Sequence, residues 1–162
     1  MKKLFMLLLA AAVLCALGLL PFRAEDAAKL LPVKTVIVTR SGDAYTVDVG
    51  AGVRAVGRTL SEALERLREE VSGLIFLPTA EQVVLTEPAE EAAEAVAESD
   101  AFRPAAGICT TPLPCPDAES LEAYLAAHPL KTSVLDLRAA LAEGREPDLP
   151  RIVAADGGYR IE

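Results

Sequence analysis

The pattern of apolar and polar positions in residues 57–88 predicts one amphipathic helix followed by two short strands. Thr59 and Glu62 have the spacing of a capping box at the start of the helix, and Gly73 stands where a left-handed C-terminal cap is expected. The apolar positions recur at helical spacing and define one buried face: Leu60, Ala63, Leu64, Leu67 and Val71. After this helix, the apolar run 74–77 predicts a strand buried on both faces, and Gln82–Thr86 predicts a second strand.

A β-hairpin is predicted at each end of the remaining chain. Residues 33–40 are rich in β-branched side chains, and residues 44–49 alternate between two faces after a turn at 41–43. Near the C-terminus, Asp156-Gly157-Gly158 separates two short apolar stretches in the manner of a hairpin turn. Isolated hairpins are only marginally stable, so both are expected to join one shared sheet.

Three further helices complete the expected fold. Residues 86–97 are predicted to be helical with Pro88 in the first turn, Asp117 is a candidate N-cap for a helix that ends before Pro129, and Ser133 is a candidate N-cap for the last helix. Residues 24–31 are interpreted as a connector, and residues 105–109 as a strand. The predicted fold class is α+β, a mixed or antiparallel sheet with helices packed on it, preceded by an N-terminal hydrophobic helix.

The N-terminus indicates export. Lys2 and Lys3 precede an unbroken apolar run from Leu4 to Leu20, the pattern of a secretory signal or signal anchor. Residues 4–22 reach the roughly 17–25 residues that a spanning helix needs, and the flanking lysines place the following chain outside the cytoplasm. Sites for cleavage are poor, so an uncleaved anchor is favoured over a cleaved signal and a secreted product. Cys15 is a candidate lipidation site, although Leu14 stands where Gly, Ala or Ser is preferred.

The expected organisation is a signal peptide or membrane anchor at residues 1–23 and a single extracytoplasmic α+β domain at residues 24–162. The chain has a formal charge of −8. Without Lys2 and Lys3 the charge of residues 23–162 becomes −10. Such an acidic domain repels nucleic acid and anionic lipid headgroups, so neither is expected as a partner of its surface.

Cys109 and Cys115 are the one pair of residues that could carry covalent chemistry. Outside the cytoplasm thiols oxidise, and the five intervening residues can close a loop, so a structural disulfide is one interpretation. Two free thiols and a redox-active pair are the alternatives. The redox interpretation is the least favoured, because the spacing is not that of a Cys-x-x-Cys at a helix N-terminus.

Other chemistry-bearing residues are interpreted as structural. His128 is the single histidine and lies at a helix end, where interaction with the helix dipole explains it better than acid–base catalysis. Asp43 with Asp48, and Glu90 with Glu91 and Glu94, are candidate carboxylate pairs but are typical of a solvated surface. One histidine and two loop cysteines do not provide a metal site. No catalytic residue, metal or cofactor is predicted.

Residues 24–97 carry a family resemblance in two places. The opening Ala24-Glu25-Asp26 and the hairpin Ser41-Gly42-Asp43-Ala44-Tyr45-Thr46-Val47 are one, and the helix start Gly57-Arg58-Thr59-Leu60-Ser61-Glu62-Ala63 with the strands 74–77 and 83–88 is the other. Both resemble the N-terminal domain of the Ger(x)C family, the C subunits of bacterial spore germinant receptors. The helix start is similar to the family's Gly-x-Thr-x-x-x-Ala pattern.

This resemblance implies a non-catalytic accessory domain on the outer face of a membrane, working with polytopic A and B receptor subunits. The chain also departs from the family. A lipidation motif at Cys15 and a following tryptophan are missing, as are the histidine often found between the two strands and the family's later domains. A general exported binding or adaptor domain, unrelated to germination, and an exported thiol-redox protein are the alternative functions.

Overall fold

The computed structural model describes residues 30–70, 74–155 and 158–162. The strands are β1 (Leu30–Pro32), β2 (Thr35–Ser41), β3 (Ala44–Asp48), β4 (Arg54–Gly57), β5 (Leu74–Phe76), β6 (Gln82–Thr86), β7 (Gly107–Thr111), β8 (Ile152–Ala155) and β9 (Gly158–Ile161). The α-helices are α1 (Leu60–Glu70), α2 (Glu90–Glu98), α3 (Ala118–Ala127) and α4 (Val134–Ala142), and a 3-10 turn covers Leu77–Thr79.

Five of the strands form a mixed sheet in the order β4-β3-β2-β6-β7. The β2, β3 and β4 strands are antiparallel neighbours, whereas β2, β6 and β7 run parallel. The parallel half needs crossover connections, and α2 supplies the one between β6 and β7. The described part of the chain is therefore an α+β fold built on a mixed sheet, which confirms the predicted fold class for these residues.

The sheet separates two hydrophobic cores. On one face, Val36, Val38 and Val47 pack with the buried residues of α1, α2 and α4. On the other face, α3 and the β8–β9 hairpin cover Ile37, Val84, Cys109 and their neighbours. Burial on both faces of the central strands explains why residues 83–85 of β6 are all apolar.

Several predicted elements are confirmed. The β2–β3 hairpin and β6 lie where the pattern places them. Asp117 caps α3 by accepting a hydrogen bond from the Ser120 N–H, and Ser133 with Asp136 forms a complete capping box on α4. At α1, the Thr59 hydroxyl accepts from the Glu62 N–H, but the Glu62 carboxylate accepts from the N–H of Arg58, one residue earlier than expected.

The sequence pattern does not predict two of the strands, β4 and β1. Residues 54–57 form β4 and pair with β3, because Ala55 and Gly57 are buried against α1 while Arg54 and Val56 alternate outward. Leu30–Pro32, the end of the expected connector, forms β1 and pairs in parallel with β5.

The strand predicted in residues 74–77 is confirmed for Leu74–Phe76, but its predicted burial on both faces is wrong. β5 lies outside the main sheet and pairs only with β1 in a two-stranded sheet. Phe76 is 39% exposed, and Leu77 belongs to the 3-10 turn that follows. Continuous hydrophobicity here reflects a short strand packed against the end of the core, where one side chain faces out.

Two other expectations are also corrected. The second predicted helix begins at Glu90, so Thr86 belongs to β6 and Pro88 precedes the helix. The terminal hairpin does not join the main sheet. β8 and β9 form their own two-stranded sheet, and an isolated bridge between Thr110 and Arg151 links it to β7. At the β7 edge, the N–H groups of Ile108 and Thr110 already donate to the carbonyls of Thr132 and Pro150.

One close approach positions α1 on the sheet. A Cβ built on Gly57 would lie 2.4 Å from the backbone nitrogen of Ala63 and 2.9 Å from the carbonyl carbon of Glu62. Only glycine at the end of β4 permits this contact with the first turn of α1. The Gly57-to-Ala63 pattern therefore has a definite steric reason in this chain.

The predicted N-terminal hydrophobic helix, Cys15, Val71 and Gly73 lie outside the described residues. Within the described ranges, none of the helices combines the length and the hydrophobicity needed to cross a bilayer.

Candidate functional site

A cleft of about 690 Å³ lies between the antiparallel half of the sheet and the N-terminal end of α3. Its floor is the outward face of β2, β3 and β4, which we call the open face and define as Thr39, Thr46, Asp48, Arg54 and Val56. The register pairs Thr39 with Thr46, Thr46 with Val56, and Asp48 with Arg54, which places these side chains on one surface. Thr39, Thr46, Asp48 and Arg54 line the cleft directly.

The fold leaves this face open because α3 covers a different part of the sheet. The buried side chains of α3, Leu121 and Leu125, pack with Ile37 and Val84 at the centre of the sheet. The antiparallel strands beyond β2 receive no helix on this side from the described residues. Val56 remains 46% exposed on β4.

The opposite wall of the cleft is the segment Cys115 to Glu119, which leads into α3. Asp117 accepts from the N–H and the hydroxyl of Ser120, at 2.8 and 2.7 Å. These hydrogen bonds stabilise the ionised form and lower the pKa of Asp117. On the floor of the cleft, Asp48 accepts from the N–H of Gly50 at 2.8 Å, in the tight turn that joins β3 to β4.

The charge of the cleft is predominantly negative. Asp48, Asp117 and Glu119 line it together with a single cation, Arg54. Among the ion pairs found in the described part of the chain, none involves Arg54. The cleft can therefore offer hydroxyls, carboxylates and one guanidinium to a binding partner.

Neither cysteine is arranged as an activated nucleophile. Both are free thiols in the structure, with Cys109 buried on β7 and Cys115 half-buried at the cleft. Burial, and then the neighbouring Cys115, raises the pKa of Cys109 to about 12. Burial, and then the charges of Asp48 and Asp117, raises the pKa of Cys115 to about 11. Reactive cysteines have lowered pKa values, which is the opposite direction. The predicted disulfide stays a prediction.

His128 lies at the end of α3 that is far from the cleft. Its ring stacks on Tyr124 with 4.4 Å between ring centroids, and its Nδ1 lies 3.0 Å from the Tyr124 carbonyl oxygen. A carbonyl oxygen can only accept, so Nδ1 carries the proton and donates. This is the helix-end role that the sequence suggested.

The candidate carboxylate pairs do not converge. Asp43 lies in the β2–β3 turn, and Asp48 ends the other side of β3, so only Asp48 reaches the cleft. On α2, Glu91 forms an ion pair with Arg40 at 2.5 Å, whereas Glu90 and Glu94 line a separate groove of about 580 Å³ beside the linker to β8. Across residues 30–70, 74–155 and 158–162, no group of three or more His, Cys, Asp or Glu side chains is placed to hold a metal ion.

The sheet edges are less available than its open face. At the β4 edge, Arg66 donates to the Val56 carbonyl at 2.7 Å. At the β7 edge, the N–H groups of Ile108 and Thr110 donate to the carbonyls of Thr132 and Pro150. Exposed edges attract further strands, and these contacts occupy part of each edge. A partner would therefore meet the face of the antiparallel strands rather than extend the sheet.

Sequence reasoning missed most of this site. Asp48 was considered only as a partner of Asp43, and Thr39, Thr46 and Arg54 were not candidates. The alternation of exposed Arg54 and Val56 with buried Ala55 and Gly57 is the pattern that could have indicated β4 and its outward face.

Comparisons with protein-family models, with curated proteins and with solved structures give no match to this chain.

Proposed function

We propose that this chain is a membrane-tethered accessory or interaction domain on the extracytoplasmic side, similar to the C subunit of a spore germinant receptor and without catalytic activity. The observation that carries the proposal is the open face. Part of a well-formed sheet lies uncovered by the described residues, lined by hydroxyls and charges rather than by an activated nucleophile.

The family assignment within this proposal is supported by the helix start. In this fold Gly57 leaves room for the backbone of the first turn of α1 at Ala63, and the Thr59 hydroxyl caps that turn, so the Gly57-x-Thr59-x-x-x-Ala63 pattern is one structural unit. A pattern with such a reason is more informative than a chance match of common residues. The expected partners are polytopic A and B receptor subunits.

A photo-crosslinking residue placed in native membranes tests the proposal. The reactive residue replaces Val56, at the rim of the cleft, and a matched variant carries it at Leu135 on α4, which is 58% exposed. We expect adducts with an integral membrane protein from position 56 and few from position 135. Recovery of the chain alone, in the soluble fraction, would contradict the proposal.

The second candidate, a general exported adaptor domain, is favoured by the same open face but not by the helix start. The identity of the adduct separates the two. A polytopic membrane protein encoded beside this chain supports the receptor-subunit proposal, and an unrelated exported protein supports the adaptor.

A further inference from the structure

A small apolar patch lies at the end of the domain where the described chain begins. Pro32 of β1 and Phe76 of β5 are register partners in the two-stranded parallel sheet, and Pro78 follows in the 3-10 turn. All three are exposed, and Phe76 is the one aromatic among the large hydrophobic side chains that are exposed in the described ranges. We call these three residues the Phe76 patch.

The chain length before β1 restricts where this patch can go. Eight residue steps separate Phe22, at the end of the apolar segment, from Leu30, at the start of β1. A fully extended chain spans at most about 3.5 Å per residue, so Leu30 stays within roughly 28 Å of the end of a membrane anchor. This short link holds the patch at a high local concentration near the bilayer surface.

The chemistry of the patch fits a lipid interface. Aromatic side chains are favoured at the boundary between headgroups and acyl chains. Proline has no N–H group, so two of the three residues bring no unsatisfied donor to that boundary. The nearby Lys34 forms an ion pair with Glu122 at 3.0 Å, which compensates its charge. The exposed Glu81 and the net negative charge of the domain favour a zwitterionic surface over an anionic one.

We propose that the Phe76 patch rests on the membrane interface and so orients the domain relative to the bilayer. This orientation rests on the anchor of the proposed function, and it adds a second, lipid-facing surface to the domain.

The absence of tryptophan from the sequence permits a direct test. Phe76→Trp in the full chain gives a single tryptophan, and the protein is reconstituted into phosphatidylcholine vesicles that contain brominated acyl chains. We expect strong quenching of this tryptophan relative to unbrominated vesicles. Leu135→Trp, equally unique and on the exposed side of α4, is the matched control and should be quenched at least several-fold less.

Pro78→Trp provides a second reporter at the same patch if Phe76→Trp does not fold, as judged by far-ultraviolet circular dichroism. Equal quenching at positions 76 and 135, or at neither, in protein that floats with the vesicles overturns the orientation and leaves the proposed function standing. A blue-shifted but unquenched tryptophan at position 76 means that protein covers the patch, which also overturns it. Protein that does not float with vesicles refutes both the orientation and the membrane tether.

Discussion

Replacement of Gly57 by alanine should test the packing of α1 more sharply than any other single change. The new Cβ would lie 2.4 Å from the Ala63 nitrogen, whereas ordinary contacts begin near 3.4 Å. The backbone of β4 or of the first turn of α1 must therefore move by about 1 Å. Both groups are backbone, so no flexible side chain can absorb the shift.

The magnitude follows from two opposing effects. Overpacking in a well-packed core costs about 1–3 kcal/mol, and the upper part of this range applies because the contact is with backbone. Alanine also restricts the unfolded chain, which returns about 0.4–1 kcal/mol. We expect a net loss of about 2 kcal/mol in the free energy of unfolding. With a urea dependence of roughly 2 kcal/mol per molar, the unfolding midpoint should fall by about 1 M.

The assay is urea unfolding of the full chain in a mild detergent, followed by circular dichroism at 222 nm. Gly107→Ala is the matched control, since its Cβ would first meet the Oε1 of Gln82 at 2.5 Å, the far end of a flexible side chain. The control should lose less than half as much stability. If Gly57→Ala unfolds at the wild-type midpoint, the steric explanation of the helix start is wrong.

Three further predictions concern the carboxylates, the thiols and one half-buried arginine. Hydrogen bonds lower the folded-state pKa of Asp117 and Asp136, so the stability they contribute is complete above the unfolded value of about 3.9 and is lost as pH falls through the folded pKa. The double change Asp117→Asn and Asp136→Asn should reduce the pH dependence of the unfolding midpoint between pH 5 and pH 3. An unchanged slope of midpoint against pH would contradict the assignment of this dependence to the two carboxylates. The Cys15→Ala variant leaves two thiols, and the pKa of Cys115 is raised to about 11. Because the thiolate fraction falls with each unit of pKa, we expect Cys115 to be alkylated at pH 8 about a hundredfold more slowly in the folded protein than in urea. Fast alkylation would show an exposed thiolate, and intact mass under non-reducing conditions would reveal a Cys109–Cys115 disulfide as the loss of two hydrogens. Arg138 donates to the carbonyls of Ala97 and Ser99 at 2.9 and 2.7 Å, at the end of α2. Arg138→Ala should therefore lower the free energy of unfolding by about 2 kcal/mol, measured by thermal or urea unfolding. A wild-type midpoint would exclude the capping role.

Local sequence patterns predicted the elements whose formation depends on residues close together in the chain. Alternation and β-branching gave β2, β3 and β6, and side-chain caps gave the starts of α3 and α4, because those signals depend on residues within one or two turns. The same approach failed for β4 and β5. A four-residue strand is specified by its partner and by the helix above it, and a four-residue apolar run does not distinguish a central strand from an isolated one.

The candidate site shows the same division more strongly. Sequence reasoning noticed Asp48 and Cys115 but not their proximity, since β3 and the segment before α3 are nearly seventy residues apart in the chain. The open face exists because α3 packs over the centre of the sheet and leaves the antiparallel strands bare. The periodicity of the sequence does not indicate where a helix packs on a sheet.

By itself, the sequence determined the α+β class, the order of most elements, the acidic charge and the caps, because hydrophobic spacing and capping chemistry act over short stretches of chain. Tertiary structure alone decided that β5 stands outside the main sheet, that the terminal hairpin is separate, and that Thr39, Thr46, Asp48 and Arg54 meet the N-terminal end of α3. These outcomes depend on which surfaces pack together, and packing is a competition among distant segments for the same buried area.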